Sequence, residues 1–116
     1  MTEKENKNYS ARVAKALKWL GVNIGTRGYE YTKEALILIE SENALVRYGA
    51  IQMYQIIAEK YGSTPTRVER CIRNFVNNAY VEGNSFFTKA IGASSKKPNN
   101  SHFLKAMSEY LKYNDV

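Results

Sequence analysis

The chain has almost nothing with which to do covalent or metal chemistry. Of its 116 residues one is cysteine, Cys71, and one is histidine, His102. A lone cysteine excludes an intrachain disulfide. One Cys and one His cannot close a zinc site. Nor do they read as a thiol nucleophile and its base, because Cys71 falls on a packing face and His102 in a separate helix. There is no Gly-rich phosphate loop, paired-carboxylate motif or nucleophile elbow. An enzyme is therefore not expected, and neither is a metal or a cofactor. No apolar run approaches the ~20 residues that span a bilayer, so no membrane partner is expected. The first ten residues, MTEKENKNYS, are polar and charged, unlike a secretory signal or a lipidation motif. Asn8-Tyr9-Ser10 and Asn99-Asn100-Ser101 match the glycosylation pattern, which means nothing without such a signal. The expected location is the cytoplasm.

Acidic residues are also scarce, 11 against 17 lysines and arginines, for a net charge of +6. The isoelectric point is near 9.4. That balance suits a polyanionic partner, but charge alone does not separate DNA from RNA or anionic lipid. With 44% hydrophobic residues the chain can build a globular core, and its length fits one compact domain.

Against these absences stands one informative stretch, residues 56–79, IIAEKYGSTPTRVERCIRNFVNNA. It reads as a helix, a sharp turn at Tyr61-Gly62-Ser63, and a second helix over about 65–82, the layout of a helix-turn-helix DNA reader. Thr64 can cap the second helix and Pro65 suits its first position. Thr66 with Glu69 is a competing capping box. Val68, Ile72, Phe75, Val76 and Ala79 form a helical apolar stripe. Thr66, Arg67, Arg70, Arg73, Asn74 and Asn77 spread over the other side. Arginine can fork to guanine and asparagine to adenine; Glu69 can accept from a cytosine amine, or pair with Arg73 one turn on. An ordinary solvated helix face is the competing reading. A tight glycine turn and a capped start just ahead of three arginines weigh against it.

The remaining segments read as helices too. Residues 1–8 are expected to be a flexible leader and 9–116 the domain proper. Ser10 can cap a helix running to about Leu20 through Val13, Ala16 and Leu17. After a turn at Gly25-Thr26-Arg27-Gly28, a helix to about Glu40 carries Tyr31, Ala35, Leu36, Leu38 and Ile39. Residues 41–47 are a short, partly helical connection. A helix over about 48–60 shows Ile51, Tyr54, Ile57 and Ala58. Gly83-Asn84 stops the second helix of the motif, and a short helix covers Ser85–Ile91. Gly92 to Asn100 is a polar loop containing Lys96 and Lys97. Ser101 then caps a last helix to about Tyr113. The expectation is an all-α, compact domain of five to six helices. Trp19 and the nine tyrosines, among them Tyr29, Tyr31, Tyr48, Tyr54, Tyr61 and Tyr80, are read as half-buried packing residues rather than base-stacking platforms.

Several pieces fall in a familiar order: Arg27-Gly28-Tyr29 with Tyr31 and Glu34-Ala35; Ile57-Ala58-Glu59-Lys60-Tyr61; Thr66-Arg67-Val68-Glu69-Arg70 with Ile72-Arg73; and Lys97-Pro98 with Asn100-Ser101 and Phe103. Together they resemble the C-terminal DNA-binding domain of the sporulation master response regulators, stage 0 sporulation protein A, over roughly residues 12–113. The resemblance implies a six-helix fold and a transcription regulator that reads a box with a GTCGA-like core. It implies that Arg67 and Arg70 read guanines, that Glu69 accepts from a cytosine, and that Arg73 lies nearer the backbone. Lys60, Thr64, Thr66 and Asn74 would flank these at phosphates. Pairing on tandem boxes is implied as well, using the last helix around Phe103, Met107 and Leu111. Family members carry a receiver domain that this chain has no room for, and Met1-Thr2-Glu3-Lys4 reads as a natural start, so a stand-alone relative is expected. Asn74 stands where the family is expected to have histidine, and Phe75, Asn77 and Asn78 also differ.

The leading expectation is sequence-specific binding of double-stranded DNA, with a possible homodimer on tandem sites, in the bacterial cytoplasm at the nucleoid. The alternatives are an interaction module that pairs with a full-length response regulator, and a nonspecific nucleic-acid binder.

Overall fold

Side-chain caps mark where most of the helices of this chain begin. The computed structural model describes residues 2–23, 25–93 and 96–116. Among them run seven α-helices and no strand: α1 (Glu3–Trp19), α2 (Arg27–Glu42), α3 (Ala44–Arg47), α4 (Ala50–Tyr61), α5 (Pro65–Glu82), α6 (Ser85–Ile91) and α7 (Asn100–Tyr113). Five of the seven start at a threonine or asparagine whose side-chain oxygen accepts a backbone N–H. Thr2 accepts from Glu5, Thr26 from Tyr29, Thr64 from Arg67, Asn84 from Phe87 and Asn99 from His102.

The all-α class is as expected from the sequence, but the count is seven rather than five or six. The extra element is α3, a single turn entered through Asn43 at a left-handed φ of 53°. The leader expected over residues 1–8 is helical from Glu3 onward, while Met1 lies outside the described residues. The Thr2 hydroxyl accepts from the Glu5 N–H and donates to the Glu5 carboxylate, with Glu3 and Glu5 in the first turn where the helix dipole favours anions. Arg27 and Gly28 belong to α2, not to the turn before it, because Thr26 supplies the cap. Asn99 rather than Ser101 caps α7, one residue ahead of its first turn. Ser94 and Ser95 of the expected polar loop lie outside the described residues.

α2 is the hub, packing against α1, α3, α4, α5 and α7. Its tightest crossing is at Gly28. A Cβ there would sit 2.7 Å from the Cys71 carbonyl oxygen and 3.2 Å from the Phe75 Cβ, so only glycine lets the two backbones meet. The stripes of α1 (Val13, Ala16, Leu17, Leu20) and α7 (Phe103, Leu104, Met107, Leu111) are fully buried. On α4 the buried set is Met53, Tyr54, Ile57 and Ala58; Ile51, expected on that stripe, lies at its edge in the first turn of the helix and is 75% exposed. Trp19 is part-exposed and meets the Phe86 ring edge-on, 5.2 Å between centroids. Arg12 fastens α1 to the end of α7, its Nη2 donating to the carbonyls of Leu111 and Asn114.

Candidate nucleic-acid interface

α4 and α5 pack on each other with only Gly62, Ser63 and Thr64 between them. Gly62 ends α4 in the left-handed region at φ 61°, where a side chain would be strained. The Ser63 N–H closes the turn on the Ala58 carbonyl at 2.8 Å. The Thr64 hydroxyl then accepts from Arg67 N–H at 3.2 Å, and Pro65 opens α5 where its missing N–H costs nothing. The competing box at Thr66 and Glu69 is not used.

The two faces of α5 separate as the spacing predicts. Val68, Ile72, Phe75, Val76 and Ala79 are buried. Thr66, Arg67, Arg70, Arg73, Asn74 and Asn77 are all exposed, and Glu69 and Cys71 are intermediate. The structure therefore brings Arg67, Glu69, Arg70, Arg73 and Asn74 onto one helix surface, with Thr64 and Thr66 at its start. The Glu69 carboxylate lies 3.6 Å from the Arg73 guanidinium, one turn on. Such an exposed pair contributes only ~0.3–0.5 kcal/mol, so either partner can exchange it for a ligand. Lys60 stands apart, at the end of α4. Its ammonium is 2.8 Å from the Glu34 carboxylate on α2, and that hydrogen bond raises the Lys60 pKa and keeps the group cationic. The Lys60 side chain is 60% exposed and the Glu34 side chain 14%.

Three expected contact residues lie elsewhere. Phe103, Met107 and Leu111 have no exposed area. The Phe103 ring packs against Phe75 and Phe87, with centroids 6.4 Å apart in both cases. A side chain without accessible surface cannot form a subunit contact, so the assignment of these residues to a dimer face is corrected to the core. The stripe that marks a buried face and the stripe that marks a docking face look alike in sequence. The exposed residues of α7 are His102, Lys105, Glu109, Lys112 and Tyr113.

A residue outside the expected set ties the two helices of the motif to α7. Asn100 is 8% exposed, and its side-chain amide donates to the Tyr54 hydroxyl on α4 and to the backbone carbonyl of Glu69 on α5, both at 3.2 Å. The start of α7 is thus fixed to both helices of the motif. Its partners lie 46 and 31 residues away. The only trace in the sequence is its place in the Lys97-Pro98, Asn100-Ser101 pattern.

Among the described residues no grouping of His, Cys, Asp or Glu could hold a metal ion, and no helix is long and apolar enough to cross a membrane. A tight glycine turn, a capped second helix and a cationic outer face define a helix-turn-helix domain of the nucleic-acid-binding class. The profile of the family described as "Sporulation initiation factor Spo0A C terminal" matches residues 13–111. The chain belongs to that family, whose members are DNA-binding effector domains of a sporulation regulator.

Proposed function

We propose that this chain is a sequence-specific regulator of transcription that binds double-stranded DNA with α5 in the major groove. Arg67 and Arg70 read guanines and Glu69 accepts from a cytosine, exchanging its contact with Arg73 for a base. Lys60, Thr64, Thr66, Arg73 and Asn74 hold phosphates on either side. The observation that carries this reading is the exposure of Arg67, Arg70, Arg73 and Asn74 together on the outer face of one capped helix. The DNA-binding unit includes α1 in full, not only residues 9–116, since that helix is continuous from Glu3. One recognition helix gives a limited specificity ratio, so pairing of two copies on tandem sites belongs to the proposal. The protein works in the bacterial cytoplasm, at the nucleoid.

The test is fluorescence anisotropy with duplexes carrying one GTCGA-type box, two tandem boxes or a scrambled sequence, each at low and high salt. Box-dependent binding is expected, tighter on the tandem probe. Equal binding to all three would sink sequence-specific reading. It would bring forward either a nonspecific binder or a module that pairs with a full-length response regulator.

A further inference from the structure

The loop that leads into α7 brings a lysine to the edge of the α5 outer face. Lys97 and Pro98, together with Tyr54, Glu69, Arg73 and Asn100, line a groove of about 320 Å³. The loop's place is fixed by Asn100, whose amide bonds to the Tyr54 hydroxyl and the Glu69 carbonyl. Lys97 is exposed. Arg73 is 52% exposed, and its 3.6 Å separation from Glu69 is longer than a charge-assisted hydrogen bond, so its guanidinium is free to turn. The groove therefore holds two cations against one carboxylate.

We propose that Lys97 and Arg73 together grip a single backbone phosphate of duplex DNA, flanking the bases read by α5. The proposal rests on the reading of α5 as a DNA-binding helix. The two cations divide the work: arginine supplies a planar fork and lysine a point charge on a flexible stem. With two cations against the one Glu69 carboxylate, the groove presents a net positive site to a phosphodiester. The contact carries no base information. It sets the register of α5 along the duplex.

Anisotropy titrations over a salt series test this, using the GTCGA-type and scrambled duplexes with the wild-type protein, Lys97→Ala, Arg73→Ala and the double variant. Lys97→Ala is expected to weaken both duplexes alike, by about three- to tenfold, and to lower the salt slope by about 0.9. The double variant is expected to lose less than the product of the two single losses, because both side chains act on one phosphate. Replacing phosphates one at a time by neutral methylphosphonate should reveal one position that weakens the wild type, weakens Lys97→Ala and Arg73→Ala less, and leaves the double variant unmoved. Unchanged affinity and slope for Lys97→Ala would overturn the proposal. So would a loss confined to the GTCGA-type duplex, or single losses that simply multiply. If the wild-type protein binds neither duplex, the reading of α5 falls and this contact with it. If the wild type binds and Lys97→Ala matches it, the phosphate contact alone is removed.

Discussion

On the outer face of α5, what already holds each side chain decides how it answers to substitution. Arg67 shares its turn with the Thr64 cap through its backbone N–H, so its side chain is not needed for the helix start. Glu69 leans on Arg73. Arg70 is exposed and takes no part in the ion pairs of the described residues. Arg70→Ala should therefore leave the fold intact and remove ~1–3 kcal/mol of discrimination between a GTCGA-type box and a scrambled one. Competition binding reads this directly, with circular dichroism as the check on folding, and undiminished discrimination would count against base reading by Arg70. Lys60 should behave differently. It lies in the last turn of α4, where its hydrogen bond to Glu34 on α2 raises its pKa and keeps it protonated. Lys60→Ala should weaken binding to every duplex and lower the salt slope by about one unit. A Lys60 variant that lost only the cognate box would contradict a phosphate role.

At the scale of elements, the crossing of α2 over α5 at Gly28 is the closest approach that any glycine of the chain makes to a neighbouring backbone. Gly28 meets the Cys71 carbonyl, a backbone atom inside a helix that cannot swing aside as a side-chain end would. Gly28→Ala gains up to about 1 kcal/mol of helix propensity. The clash should outweigh that gain, for a net loss of ~1–3 kcal/mol as α2 is forced off α5. Urea unfolding would show a lower midpoint at an unchanged slope. An equal or higher midpoint would mean the crossing has slack. This contact marks the boundary of what was legible beforehand. α5 was readable almost to the residue, because its cap, its first-position proline and its apolar stripe all act locally. The start of α1 was misplaced although Thr2 and Glu5 carry the capping-box spacing, since Ser10 offered a second plausible cap closer to the apolar stripe. Arg27 and Gly28 passed for a turn because two glycines flank Thr26 and Arg27. What no local pattern carries is the meeting of distant segments: Gly28 with Cys71, Asn100 with Glu69 and Tyr54, Glu34 with Lys60. For the same reason the α7 stripe gave no sign of whether it faced a core or a partner.

Across the whole molecule, charge and burial act on different faces. The excess of +6 is carried in part by the exposed cations of α5 and the α7 loop. The seam where α1 meets α2 holds a buried tyrosine instead, Tyr9, beside Glu40 and Arg12. Burial first, then the Glu40 carboxylate, push the Tyr9 pKa up from 10.0 to about 12. Burial also raises Tyr29, Tyr54 and Tyr61. Below pH 10 the Tyr9 phenol is neutral in the folded and the unfolded chain alike, and the stability linked to it is fully present. Between pH 10 and about 12 the unfolded chain gives up the proton while the folded one keeps it, so stability falls as pH rises. The slope from this one group reaches about 1.4 kcal/mol per pH unit. Tyr9→Phe removes that dependence. Its unfolding free energy should climb relative to the wild type across this window, whatever their offset at neutral pH. DNA binding at neutral pH should be untouched, because Tyr9 lies on α1 and no α5 residue lines its pocket. Urea unfolding of both proteins at intervals through the alkaline range provides the measurement, and two parallel stability curves would show that Tyr9 titrates as it does in water.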